Sequence, residues 1–129
     1  MDIKGKKVLV VDDDKFFISL ISKKLTDGGL EVSYAYEGQA ALKGLEDNKP
    51  DVIILDIMLP DMDGYEILKK IKDNPATNPI PVVFLSNLGS HDDIIKGRQL
   101  GAHTFLIKAT VTMEEVLKEV SKIIMSKSI

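Results

Sequence analysis

A chain of 129 residues, 44% hydrophobic and 29% charged, reads as a single globular domain over residues 1–129 and excludes a disordered or fibrous protein. Its formal net charge of −3 supplies no basic field for holding nucleic acid. The absence of cysteine removes disulfides, thiolate metal sites and cysteine nucleophiles together.

Lys4, Lys6 and Lys7 precede the apolar run Val8–Val11, which is too short for the core of an export signal and ends in Asp12-Asp13-Asp14. No segment approaches the length of a membrane span, so a cytoplasmic protein is expected. Val8–Val11 is read as a first strand. Phe17, Leu20, Ile21 and Leu25 share one face of a first helix, closed by Gly28-Gly29. Leu30–Tyr36 is a weaker strand candidate, followed by a short helix marked by Ala41, Leu42 and Leu45. Val52–Leu55 is a β-branched run suited to a buried strand. Tyr65, Leu68 and Ile71 mark the next helix, capped by Asp63 and stopped by Pro75. Pro81–Leu85 forms the fourth strand, and Ile94, Ile95 and Leu100 suggest a helix ended by Gly101. His103–Ile107 is the fifth strand candidate. Met113, Val116, Leu117, Val120, Ile123 and Ile124 then give a helical stripe opened by a Thr112–Glu115 capping box.

Strand and helix thus alternate five times, which argues an α/β fold with a parallel sheet covered on both faces. Right-handed crossovers make such a sheet doubly wound. The pattern by itself leaves the strand order open.

In open parallel sheets the site lies beyond the carboxyl ends of the strands. Asp12, Asp13 and Asp14 follow the first strand, Asp56 the third, Ser86 the fourth and Lys108 the fifth. Close carboxylates repel, and burying them unpaired costs several kcal/mol, so a neutralising partner is required. All-oxygen ligands without His or Cys favour Mg²⁺, or Mn²⁺, over Zn²⁺. Lys108 would balance remaining charge, and Ser86 could donate a hydrogen bond to a phosphate oxygen. A carboxylate nucleophile forming an acyl phosphate suits this set.

Three segments carry a resemblance: Val8-Leu9-Val10-Val11-Asp12-Asp13-Asp14; Pro50 to Gly64, with its Asp56-x-x-x-Pro60-x-x-Asp63-Gly64 spacing; and Gly101-Ala102 followed by Phe105-Leu106-Ile107-Lys108. Together they resemble the signature segments of response-regulator receiver domains, over nearly the whole chain from Lys7 to Ile124. The resemblance implies a flavodoxin-like (βα)5 fold with strand order 2-1-3-4-5, which brings Asp13 and Asp56 within reach of one cation. It implies that Asp56 is the phospho-acceptor and Asp13 a direct Mg²⁺ ligand. Asp12 acts through a metal-bound water, and the backbone carbonyl of Met58 is a third protein ligand. Ser86 and Phe105 match the switch positions, whose movement reshapes the surface of the fourth helix, fifth strand and fifth helix. The implied partners are a sensor histidine kinase or phosphotransfer protein, a downstream effector or output domain, and a phosphorylation-dependent second copy. Nucleic acid and membrane are not expected partners.

Three positions depart from the family pattern. Ala109 stands after Lys108 where proline is usual, so either a trans bond with a rearranged loop or retained strain is expected. Asn87 follows Ser86 where a small residue is common, and Phe105 replaces the more frequent tyrosine. Asp14 reads as a helix cap, Asp61 as a turn residue, and Lys69, Lys70 and Lys72 as a solvated helix face. His91 and His103 lack ligand-like spacing. A haloacid-dehalogenase-type phosphohydrolase, with Asp12 as nucleophile and Asp14 as acid–base, is the alternative from another class. It lacks a late acidic pair, has Phe16 where threonine is usual, and leaves the Asp56 segment unexplained. A degenerate receiver that binds without phosphorylation would be expected to lack Asp13, Asp56 or Lys108, and all three are present.

Overall fold

The computed structural model describes residues 2–127. Met1, Ser128 and Ile129, the ends of the expected 1–129 domain, lie outside the described residues. The elements alternate as expected: β1 (Lys7–Val11), α1 (Lys15–Asp27), β2 (Glu31–Ala35), α2 (Gly38–Asp47), β3 (Val52–Leu55), α3 (Gly64–Asp73), β4 (Val82–Ser86), α4 (His91–Gln99), β5 (Thr104–Ile107) and α5 (Met113–Lys127). All strand pairs are parallel, in the order β2-β1-β3-β4-β5. This is the doubly wound, flavodoxin-like receiver fold.

The sheet carries a core on each face because successive strand side chains point opposite ways. Leu9, Val11, Ile53, Leu55, Val82 and Phe84 pack with α2 and α3 through Ala41, Leu45, Ile67, Leu68 and Ile71. Val8, Val10, Val52, Ile54, Val83 and Leu85 meet α1 and α5 through Ile18, Ile21, Leu25, Val116, Val120 and Ile123. Pro81 stays outside β4, since it has no N–H to donate, although its carbonyl accepts from Ile53 N at 3.0 Å.

The buried line of α1 is Ile18, Ile21 and Leu25, with Leu20 44% exposed. At 100° per residue Leu20 projects almost opposite Ile18, so only part of the predicted stripe can face the sheet. In α4, Ile95 is also exposed, and the buried residue is Gly97. A Cβ there would lie 3.1 Å from the Phe84 ring and 3.3 Å from Phe105, so α4 docks by backbone proximity rather than by an apolar stripe.

The predicted caps form: Asp14 accepts from Phe17 N at 3.1 Å, Asp63 from Glu66 N at 2.9 Å, and Thr112 and Glu115 bond reciprocally. Asn74 is extended before Pro75, which ends α3. Lys72 departs from the expected solvated face. It is half-buried and donates to Asn78 O and Ile80 O, each at 2.9 Å, pinning the loop into β4. Burial pushes its pKa below the ordinary lysine value.

Asp61 has a larger role than a turn residue. Its carboxylate accepts from Gly38 N and Gln39 N, both at 2.8 Å, and so caps α2 from another part of the chain. Burial works to raise its pKa, but these backbone N–H groups outweigh it and hold the carboxyl below its ordinary value. Asp61→Ala is expected to destabilise the fold by about 1 kcal/mol at pH 7. A depressed folded pKa gives stability that is present above about pH 4 and lost as pH falls through it. Urea melts of both proteins at pH 7 and pH 3 should therefore show the gap narrowing in acid.

Candidate functional site

The polar edge of the sheet is assembled by ladder bonds that run past the strand ends. Asp12 N donates to Ala35 O at 3.0 Å and Asp56 N to Val11 O at 2.9 Å, which sets the acids of β1 and β3 side by side. Lys108 N donates to Ser86 O at 2.9 Å, fixing the base of the lysine beside β4. Its side chain then reaches across β4, placing Nζ 2.7 Å from Asp12 Oδ2 and 3.1 Å from Asp56 Oδ2.

Asp12 and Asp56 are buried, while Asp13 is exposed at the mouth. Carboxylate oxygens of the three lie within 4.8 Å of one another. Asp12 Oδ1 accepts from Asp14 N at 2.9 Å. Asp56 Oδ1 accepts from Ile57 N at 2.7 Å and Met58 N at 3.3 Å, so its orientation is set by the first turn of its own loop.

Burial pushes the Asp12 carboxyl above its ordinary pKa, with the neighbouring Asp56 charge adding to the rise. The Lys108 hydrogen bond and the Asp14 N–H offset this only in part. Burial alone would lower the Lys108 pKa, but the hydrogen bond to Asp12 and the charges of Asp56 and Asp12 hold it above the ordinary lysine value. The two directions are compatible, because one ammonium divided between two buried carboxylates is itself fully held while each acid is half compensated. Three carboxylates against one ammonium leave negative charge in excess. The exposed Asp13 keeps that excess open to a cation from solvent. An all-oxygen set of this kind fits Mg²⁺ or Mn²⁺.

Asp12, Asp13, Asp56 and Lys108 are thus brought together. Ser86 is fully buried at the end of β4, and its Oγ accepts from Leu88 N at 3.3 Å. Phe105 is half-buried, with its ring 5.6 Å from that of Phe84. Met58 presents a largely exposed side chain beside Asp56. Asn87 is exposed. No cis peptide occurs among the described residues, so the Lys108–Ala109 bond is trans. The loop closes instead as a turn in which Thr110 N and Val111 N both donate to Ile107 O. Asp14 takes the expected place as the α1 cap, with Oδ1 accepting from Phe17 N.

From the sequence, Phe17 reads as a helix-face residue and Gly64 as part of a motif, and neither is assigned a contact at the site. The Phe17 ring lies under Lys108 Nζ, 4.5 Å from centroid to nitrogen. Its place three residues after Asp14, in the first turn of α1, was the available signal. Gly64 presses against the acceptor segment, where a Cβ would fall 2.5 Å from Asp56 O and 2.7 Å from Ile57 Cα. Among the described residues no helix is long and apolar enough to cross a membrane.

The family model for the response regulator receiver domain matches residues 8–121. Response regulator PleD of Caulobacter vibrioides is 43% identical over 102 residues, which cover 79% of this chain and 22% of that protein. The chain spans between 22% and 49% of the length of the curated relatives reported for it. The receiver domain of the Francisella response regulator 1452 superposes with a TM-score of 0.88 at 32% identity, covering 95% of this chain and 99% of that one. The Mn²⁺-bound form of response regulator Rcp1 superposes with a TM-score of 0.79 at 31% identity, covering 92% and 91%. With the matched family segments forming one sheet edge around Asp12, Asp13, Asp56 and Lys108, the chain belongs to the receiver-domain family of two-component response regulators.

Proposed function

We propose that Asp56 accepts a phosphoryl group from a phosphohistidine of a sensor kinase or phosphotransfer protein, and that the fold passes the change to a partner. The observation that carries this reading is the buried Asp56 carboxylate, held at one oxygen by backbone N–H groups and at the other by Lys108, within one acidic cluster. An Asp56 oxygen attacks phosphorus as the P–N bond of the donor breaks, and its electron pair leaves with the imidazole. One O–P bond replaces one P–N bond, so no other reactant is needed. Lys108 balances the charge gained, and the Ser86 hydroxyl turns from Leu88 N to donate to a phosphoryl oxygen.

Asp13 and Asp56 would hold Mg²⁺ or Mn²⁺ directly, together with the Met58 carbonyl, and Asp12 would act through a water. The bound cation supplies electrostatic stabilisation to the phosphoryl oxygens. The all-oxygen donor set and the Mn²⁺-bound state of Rcp1 support this. Phe105, packed against Phe84 and close to Gly97, would follow Ser86 and alter the surface of α4, β5 and α5. That surface would meet an effector, an output domain or a second copy. The reading is of a single cytoplasmic signalling domain over residues 1–129, without direct nucleic-acid contact.

Intact mass after incubation with acetyl phosphate tests the reading. One added phosphoryl group is expected with Mg²⁺, none with EDTA, and none in Asp56→Asn, which keeps its fold. Metal-dependent labelling that persists in Asp56→Asn would overturn the assignment of the acceptor. Continuous phosphate release surviving that substitution would indicate a hydrolase.

A further inference from the structure

Lys108 is an ammonium on a flexible stem, and two carboxylates alone do not fix where it sits. Asp12 Oδ2 and Asp56 Oδ2 lie 2.7 and 3.1 Å from Nζ, and the lysine side chain is only 12% exposed. The same Nζ sits over the face of the Phe17 ring, 4.5 Å from its centroid. An aromatic face attracts a cation through its quadrupole, and more strongly where water is excluded.

The ring is itself held in place. Phe17 N donates to Asp14 Oδ1 at 3.1 Å, and Asp14 N donates to Asp12 Oδ1 at 2.9 Å. The segment that supplies Asp12 therefore also fixes the start of the helix that carries Phe17. The ring also packs, half-buried, against the core shared by α1 and α5.

We infer that Phe17 is a positioning residue for phosphoryl transfer: its ring holds the Lys108 ammonium over Asp12 and Asp56 and shields it from bulk water. This rests on the reading of Asp56 as acceptor and deepens it by naming what controls the lysine. Phosphorylation adds charge at Asp56, and Lys108 must follow the new oxygens. A ring face against the ammonium restricts that movement and keeps water from competing for its protons. Phe17 thereby sets both the rate of labelling and the lifetime of the aspartyl phosphate.

Phe17→Leu keeps an apolar side chain without a π face, whereas Phe17→Tyr keeps the face. Both are compared with the unaltered chain for acetyl phosphate labelling rate in Mg²⁺, for aspartyl phosphate half-life and for melting temperature. Lysine ammonium ¹H–¹⁵N spectra are recorded beside them. Phe17→Leu is expected to label on the order of fivefold more slowly and to lose phosphate correspondingly faster. The ring-shifted lysine resonance of the unaltered chain should disappear. Phe17→Tyr should restore both rates to within about twofold and keep the resonance, because its π face is retained. Equal rates in Phe17→Leu and the unaltered chain would overturn the inference. So would Phe17→Tyr as slow as Phe17→Leu, or rate losses that merely track melting temperature. If the unaltered chain takes no label, the acceptor reading itself fails and the inference falls with it.

Discussion

Lys108→Met is expected to cost about 3–5 kcal/mol of stability in metal-free buffer, because it leaves Asp12 and Asp56 buried without their shared counter-ion. The loss has a definite pH signature. Asp12 already titrates above its ordinary value through burial, and removing the hydrogen bond and charge of Lys108 raises it further. For a carboxyl with a raised folded pKa, the folded state binds more protons than the unfolded one. Stability is then fully present below the unfolded pKa and is lost as pH rises through the folded pKa. Urea melts of Lys108→Met should thus show a smaller deficit at pH 5 than at pH 8. Mg²⁺ should recover more stability in the variant than in the unaltered chain, since it replaces the missing positive charge. A deficit independent of both pH and Mg²⁺ would mean that Lys108 contributes packing alone.

Gly64→Ala is expected to cost about 2–3 kcal/mol and to slow labelling of Asp56 together with the loss. The added Cβ would meet Asp56 O at 2.5 Å and Ile57 Cα at 2.7 Å, and both are backbone atoms that no rotamer change can clear. Relief requires either lifting α3 from the sheet or displacing the Asp56–Ile57 peptide, whose N–H orients the acceptor carboxylate at 2.7 Å. Gly44→Ala is the matched control. It lies in α2 with open space at its Cβ and should gain about 0.5–1 kcal/mol. Denaturant melts and mass labelling of both variants check the pair. Normal stability and normal labelling in Gly64→Ala would show that the approach of α3 to Asp56 is not required.

Much of this protein is legible in its sequence. Val8–Val11 and Val52–Leu55 are apolar runs that only a doubly covered sheet can bury, and the acids that follow them must lie at its carboxyl edge. Asp14, Asp63 and Thr112–Glu115 announced their helix starts because capping is local chemistry, satisfied within three residues. The strand order, the resemblance aside, needed tertiary structure, as did every contact whose partners are distant in sequence. Lys72 reads as a solvated lysine until the chain returns to place Asn78 O and Ile80 O beside it. Asp61 reads as a turn residue until α2 brings two orphan N–H groups to it across the fold. Phe17 reads as helix-face hydrophobe until β5 delivers Lys108 over its ring. The sequence by itself determined the periodic burial of strands and helices and the acids and lysine at their ends, because hydrophobic periodicity and capping act over a few residues. Only the tertiary structure decided which charges meet and what covers them, because electrostatic partners are set by the packing of segments far apart in the chain.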